Sequence, residues 1–514
     1  MRGGSRSVKH RQVLIEVRFW NQSAGLRLHP FLFDVLTTGL AQVASLAANL
    51  ILVGAVSRQM GVVVLGEYLL VRRISAWLLS GSQLGLGVAL PRQIAHTVED
   101  VQTRARQYFL AAFTMVVAFV ASMGLAAALN AGRLAQWLLG SENRGLIYAM
   151  VVLLVGTAMQ TMVFGYFRGL ERVQAANLVG LGGWVVVPLL ALGVAYKSHS
   201  APMLIGATGL GLAIGSILWA IPKVAAVRDF RCHFVSDARQ LLSYGLPRVP
   251  GEIAVGGLLA LGPVLVSHYV NIAQNSYLLL GITCMTMAGF AFAPVGIVLL
   301  AKISRLLGTG RHRDVNEYVG HLRSAVLQIS LVVVVQGLIF ARPIVLWWLG
   351  PSCLAGVPVI RTVMLAVPAY MYFVALRSVV DAASDVAYNA RNVLIALAAL
   401  IALSAAVIRF VPPDRIVLGV AAATAFAIVL LAFTTHRTLR ALGLADRAPQ
   451  FGLIWVTGLL GAASLTAQLA FHFQITKLAF AVVLLANLGL AFLLLRKSQP
   501  EWMGFVLRVA FTRT

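Results

Sequence analysis

The chain has 514 residues, of which 60% are apolar and only 11% charged, with a mean hydropathy of +0.87. Soluble domains carry roughly 25% charged residues, so this composition excludes a protein that faces water over its whole surface. The net charge of +24 raises nucleic acid as a partner, but the basic residues gather in loops on one side of a series of apolar segments, which is the pattern of membrane topology.

Residues 1–32 are basic and polar (Arg2, Arg6, Lys9, Arg11, Arg18, Arg27), with no early apolar stretch of the kind a cleaved signal peptide carries. From residue 33 onward, apolar runs long enough to span a bilayer recur, at about 20 residues each. Fourteen spans are predicted: 33–56, 62–89, 108–130, 145–167, 174–196, 201–222, 242–268, 276–301, 317–340, 354–376, 388–408, 416–435, 451–471 and 476–495. The runs are continuous and not alternating, which predicts helices and not barrel strands. Cys232, Cys284 and Cys353 fall in separate segments, so neither a disulfide framework nor a metal cluster is expected.

With the N-terminus placed in the cytoplasm, the opposite loops hold 8 of the 41 Lys and Arg residues: Arg58, Arg133, Arg144, Lys197, Arg342, Arg409, Arg415 and Lys477. Positively charged loops stay inside, so an inner-membrane protein with both termini cytoplasmic is expected. No Walker loop, HExxH motif or GxSxG elbow lies at a membrane edge, so neither a nucleotide-driven pump nor a membrane hydrolase is expected, and no cofactor.

The stretch 223–241 divides the first twelve spans into six and six. Leu90-Pro91-Arg92-Gln93-Ile94-Ala95 ends the second span of one half, and Leu300-Ala301-Lys302-Ile303-Ser304-Arg305 the second span of the other. Repeated halves of this kind typify secondary transporters, with the substrate site between them. The expected organisation is a basic N-terminal segment (1–32), an N-lobe (33–222), a linker (223–241), a C-lobe (242–440), and two extra helices with a basic tail (441–514). The fold class is therefore all-α, a polytopic membrane protein of two six-helix lobes related by a pseudo-two-fold repeat.

Four stretches carry a family resemblance. They are Leu65-Gly66-Glu67-Tyr68 with Leu84-Gly85-Leu86-Gly87-Val88-Ala89-Leu90-Pro91-Arg92-Gln93-Ile94-Ala95; Tyr166-Phe167-Arg168-Gly169-Leu170-Glu171-Arg172; Tyr244-Gly245-Leu246-Pro247-Arg248-Val249-Pro250; and Ala301-Lys302-Ile303-Ser304-Arg305-Leu306. Their order over about residues 35–440 resembles the polysaccharide-transport branch of the multidrug/oligosaccharidyl-lipid/polysaccharide exporter superfamily, which includes the Wzx-type repeat-unit flippases. Ala301 stands where many members have proline. The resemblance implies two lobes in a V, a central cavity and alternating access. It also implies a passenger, an undecaprenyl-pyrophosphate-linked glycan, and as partners membrane lipids, a polysaccharide polymerase and chain-length or export proteins.

Charges inside spans are costly, on the order of 2.5–3.5 kcal/mol or more at the bilayer centre, and so mark candidate sites. Arg72 and Arg73 lie mid-span, Arg248 and Glu252 in the first turns of span seven, Arg361 in span ten, Glu67 in span two and Asp34 at the start of span one. Arg72 and Arg73 point about 100° apart on a helix, so one is expected to face a cavity, with Arg73 favoured. Arginine forks bond phosphate oxygens in pairs, and Arg73 with Arg248 would clamp a pyrophosphate between lobes. The competing reading pairs Arg248 with Glu252 at i,i+4. Arg361 fits snorkelling or helix pairing as well as binding.

Asp34, Thr38, Gln42, Ser45 and Asn49 form one polar helical face. It either contacts sugar hydroxyls, through Gln42 and Asn49, or bonds another helix. Glu67, Glu252 and Asp34 are the ion-coupling candidates. Arg377, Asp381 and Asp385 read as a solvated ladder, Trp347 and Trp348 as an aromatic-belt anchor, and Pro247, Pro250, Pro263 and Pro294 as bends. The expected function is a non-enzymatic flippase that moves the lipid-linked repeat unit outward through a cationic cavity for exopolysaccharide, capsule or O-antigen synthesis. The alternatives are a lipid II flippase or multidrug/cation antiporter of the same superfamily, and a membrane polymerase or scaffold subunit.

Overall fold

The structure is a computed structural model that describes residues 30–97, 100–224, 230–289, 303, 306, 312–384, 386–444 and 489. Every element among them is helical. In chain order these are α1 (Pro30–Ala55), α2 (Gly61–Ser82), α3 (Leu86–Ala95), α4 (Val101–Leu129), α5 (Arg144–Gly169), α6 (Val173–Leu181), α7 (Val187–Ala195), α8 (Ala201–Val224), α9 (Phe230–Gly245), α10 (Val249–Val266), α11 (Ile272–Gly289), α12 (His312–Ile339), α13 (Ala341–Trp348), α14 (Val357–Met364), α15 (Val367–Ala383), α16 (Tyr388–Phe410) and α17 (Ile416–Ala441).

Among the described residues nine helices are long and apolar enough to cross a membrane, or ten if the pair Pro351–Met364 and Val367–Ala383, bent by 48°, is one span. One of the nine, Thr37–Ser82, runs for 46 residues and supplies two crossings. Arg72 Nη1 donates to Asn49 Oδ1 at 2.8 Å, although a straight helix would hold these residues roughly 35 Å apart. The chain therefore reverses between them, at the π turn Val56–Met60 and at Gly61, whose φ of 91° is open to glycine and costly to other residues. Spans thirteen and fourteen, and most of the second half of span eight with its Ala301–Arg305 motif, lie outside the described residues.

Exposed apolar side chains fit an outer surface that meets lipid. Leu129 is 79% exposed and Phe410 82%, on helices where water would penalise them. Helices α1 to α8 pack as one lobe and α10 to α17 as the other, and α2 against α10 and α11 forms the seam. A continuous apolar core crosses this seam from Leu65, Leu69 and Ile74 to Ala254, Leu258, Leu278 and Ile282.

Two refinements follow. Most of the linker is helix α9, which lies against α3 and α4 of the first lobe. Its Asp237, 2% exposed, pairs with Arg104 at 3.0 Å, and Tyr108 donates to Gln240 at 2.6 Å. The second predicted span also breaks at Gln83–Gly85, where Leu84 and Gly85 have φ of 53° and 72°. A Cβ at Gly85 would collide with the Gly245 backbone, so the turn after α2 and the end of α9 touch backbone to backbone.

Candidate functional site

The first lobe holds a partly open cavity of about 340 Å³, lined by α1, α2, α5, α7, α8 and the π turn Gly182–Val186. The helical repeat aims polar groups inward: Gln42, Ser45 and Asn49 recur at three and four residues on α1, as do Tyr68, Arg72 and Ser75 on α2. Thr157 and Gln160 come from α5 and Thr208 from α8. Gln160 reaches in because its partner is Gly183, where any Cβ would strike its amide. Ser45, Thr157 and Thr208 each donate to the carbonyl four residues back, at 2.7–2.8 Å, which turns their oxygens into acceptors.

Arg72 is the cationic group of this cavity. It donates to Asn49 Oδ1 at 2.8 Å and to the Tyr68 hydroxyl at 3.4 Å. No carboxylate pairs with Arg72 or Arg73 among the described residues. Further along the α1 stripe, Thr38 bonds Asn177, whose Nδ2 donates at 3.1 Å, so that end serves helix pairing. Asp34, half-buried at the start of α1, offers its backbone oxygen to Thr37.

Arg73 turns the other way, across the seam. Its Nη2 lies 3.4 Å from Thr283 Oγ1 on α11, beside Tyr370 of α15. The two adjacent arginines thus divide as helical geometry requires: Arg72 faces the cavity of the first lobe and Arg73 the seam between the lobes. Gln42, Asn49 and Arg72 share a cavity inside one lobe.

The expected Arg73–Arg248 clamp is not formed. Trp77 Nε1 donates to the Ile253 carbonyl at 3.1 Å, which sets α2 and α10 in register. Arg73 lies four residues from Trp77 toward one end of the bundle, and Arg248 five residues from Ile253 toward the other. At 1.5 Å per residue their levels differ by roughly 13 Å. Arg248 is exposed and stacks on Tyr244 with its guanidinium carbon 3.7 Å from the ring centroid, while Arg92 stacks on the same ring at 3.9 Å. Nor does Arg248 pair with Glu252. That carboxylate bonds Arg377 of α15 at 3.2 Å, because α15 brings a guanidinium across the lobe. Asp381 accepts from Asn389 at 2.8 Å, and Asp385 lies outside the described residues. Arg361 donates Nε–H to the Leu338 carbonyl at 2.8 Å, satisfying an orphan acceptor at the C-terminus of α12.

At the opposite end of the seam lies a group that sequence reasoning missed. Arg58, in the π turn after α1, donates to the carbonyls of Leu346, Trp347 and Trp348 at the end of α13. Ser57 Oγ donates to the Leu349 carbonyl at 2.7 Å and lies 3.3 Å from Cys353 Sγ. Trp348 Nε1 donates to the Leu50 carbonyl at 2.8 Å, and its indole would lie 2.8 Å from a Cβ at Gly54. Trp348 therefore joins the lobes and does more than anchor in lipid. A buried arginine was also missed: Arg323 of α12, 3% exposed, hydrogen-bonds Tyr372, whose hydroxyl lies 2.9 Å from His436 Nδ1.

No protein-family model and no curated protein matches the chain. Solved structures do. The chain is 14% identical to the lipid II flippase MurJ in an inward closed conformation, with a TM-score of 0.65 over 92% of this chain and 99% of that one. It is 18% identical to the Vibrio cholerae MATE transporter VcmN in the bent form, with a TM-score of 0.52 over 81% and 98%. The chain shares their fold. At these identities the likeness extends to the path of the helices and not to individual side chains.

Proposed function

We propose that the chain is a flippase that carries an undecaprenyl-pyrophosphate-linked oligosaccharide repeat unit from the cytoplasmic to the outer leaflet of the inner membrane. The observation that carries this reading is Arg72: a guanidinium with no carboxylate partner among the described residues, in a cavity of about 340 Å³ whose largely apolar walls carry several amide and hydroxyl groups. Its volume falls in the range of roughly 300–1,000 Å³ that holds small ligands. Its hydrogen-bonding groups suit sugar hydroxyls and its charge suits an anion. A cationic drug would find no acid among the described residues that line it.

The lysine and arginine asymmetry supports an outward-facing Arg58 end. The seam is latched at that end, so a passenger approaches from the Tyr244 end, where Arg92 and Arg248 present positive charge to anionic head groups. Release outward requires the Arg58 latch to open, while the polyprenyl chain stays in lipid. The passenger is larger than the cavity, which holds only part of it. Binding spreads from Arg72 to Arg73 as the seam parts.

A lipid II passenger is the second reading, and the likeness to MurJ over 99% of that chain favours it specifically. Labelled lipid-linked sugars in a strain lacking the chain separate the two. Repeat-unit intermediates trapped on the cytoplasmic leaflet support the first reading and trapped lipid II the second. Intermediates accumulating on the outer leaflet would mean that the chain acts after translocation, as a polymerase would.

A further inference from the structure

Near the Arg58 end, a second cavity of about 200 Å³ lies between the lobes, bounded by Glu67, Leu70 and Val71 of α2, by Leu139–Ser141 and Leu146 of the first lobe, and by Ser267 and Val270–Ile272 of the second. Glu67 is its one carboxylate, and it has no hydrogen-bond or ion-pair partner among the described residues. The remaining polar side chains are those of Ser141, Ser267 and Asn271, whose oxygens each make one bond to backbone and keep a lone pair. Ser141 Oγ accepts from Asn143 N, Asn271 Oδ1 accepts from Gln274 N, and Ser267 Oγ donates to the Val264 carbonyl. The walls approach backbone to backbone: a Cβ at Gly66 would lie 2.7 Å from the Ile272 carbonyl, and one at Gly140 would collide with that of Ser267.

Among the described residues no other titratable or charged side chain lines this cavity. Those flanking it in sequence are Glu142 and Arg144 on one lobe and His268 and Tyr269 on the other. Arg144 lies against Gly132, and His268 bonds the Trp137 carbonyl at 3.0 Å.

We propose that this cavity is a monovalent-cation site, for a proton or a sodium ion, and that its occupancy holds the Arg58 end of the seam shut. An unpaired carboxylate between two walls that carry no cationic side chain opposes their approach, because closure strips its water without supplying a counter-charge. A bound cation removes that opposition, and oxygen groups from both lobes complete its shell only when the lobes meet. The cation therefore favours the closed seam by its differential affinity, and opening of the seam weakens its binding by the same factor. Of the three acids singled out in the sequence, Glu252 is held by Arg377 and Asp34 lies at the far end of α1, which leaves Glu67 for this role. The inference rests on the transport reading only for its purpose; the site can be tested without any passenger.

Cys353, 0% exposed beneath the latch, reports the state of the seam. Its maleimide labelling rate, read by peptide mass spectrometry on full-length protein in nanodiscs, is compared between wild type and Glu67→Gln. The ratio of the two at each pH cancels the thiol's own titration. It should be about tenfold at alkaline pH without sodium and fall to one as the site fills. A fall with sodium at fixed pH identifies sodium; a fall with pH alone identifies the proton. Glu252→Gln should respond as wild type does, and Glu67→Asp should keep the response with a displaced midpoint, which covers the case in which Glu67→Gln fails to fold. A ratio flat in both arms, or a response that survives in Glu67→Gln, overturns the proposal. Neither result depends on which lipid is carried, so failure of the passenger assignment in the leaflet assay would leave this reading untouched.

Discussion

The two ends of the seam are closed by opposite means. At the Arg58 end, one guanidinium and one hydroxyl from the first lobe meet four consecutive backbone carbonyls, Leu346 to Leu349, of the second. At the Tyr244 end, two guanidiniums, Arg92 of α3 and Arg248 ahead of α10, share one ring. Backbone acceptors at a helix C-terminus carry partial negative charge, so the first arrangement satisfies its cation and leaves little for an outside anion. A phenol ring takes up neither arginine's N–H groups, and beyond the bond from Arg248 Nη1 to the Tyr244 carbonyl at 2.8 Å the second arrangement keeps donors in reserve. One end is a latch and the other a mouth.

The sharpest way to break this comparison is to remove the freedom of the latch. With Ser57→Cys, the new thiol would face Cys353, given the 3.3 Å between the native Oγ and Sγ, and a disulfide would need little rearrangement. Oxidation should stop transport altogether, and reductant should restore it, measured as passenger translocation in proteoliposomes. Transport that persists under a quantitative cross-link would mean that the Arg58 end never opens.

Next in size is Arg72→Ala. Charge-assisted hydrogen bonds contribute roughly 1.5–3 kcal/mol each, so loss of the cavity's cation should lower transport by about tenfold to hundredfold with membrane level unchanged. Arg72→Lys, which keeps the charge without the fork, should retain an intermediate rate. If Arg73→Ala is the more damaging variant, the passenger is held on the seam and not inside the lobe. Arg58→Ala comes third. Its bonds are exposed and its loss is expected to weaken closure by about 1 kcal/mol, raising the labelling rate of Cys353 about fivefold. An unchanged rate would assign closure to Ser57 and Trp348.

How far these features were legible depends on what each one bonds to. Most spans that fall on described residues were legible, because about twenty apolar residues are needed whatever the neighbours are. The α1 stripe was legible as a face, since Gln42, Ser45 and Asn49 repeat at helical spacing, but not its destination, because the same face fits an inter-lobe chamber or a cavity inside one lobe. For Glu252 a local rule offered Arg248 as a partner. The i,i+4 relation holds only where no better partner arrives from afar, and Arg377 arrives from 125 residues away. The Arg58 latch had no signal at all. Its acceptors are carbonyls, which every residue possesses, so only the fold singles out Leu346 to Leu349. Arg323 escaped notice because a span carrying one basic residue near its end looks like any other end under the positive-inside rule.

The smallest expected effect decides whether binding extends into the second lobe. Arg361 spends its Nε–H on the Leu338 carbonyl, a bond that ties α14 to the end of α12, and its position otherwise resembles that of a binding arginine. Arg361→Gln removes the charge and keeps an amide N–H able to reach a carbonyl. If the residue only joins helices, the cost is that of one hydrogen bond weakened, about 1 kcal/mol, visible as a slightly lower thermal midpoint in detergent, with transport within about twofold of wild type. A binding arginine would behave differently: the charge itself would matter, stability would hardly move, and transport would fall as far as in Arg72→Ala. The first outcome confines the anion to the first lobe and the seam. The second would mean that α14 swings its guanidinium toward the passenger once the Arg58 latch opens, and that the bond to Leu338 marks only the closed state.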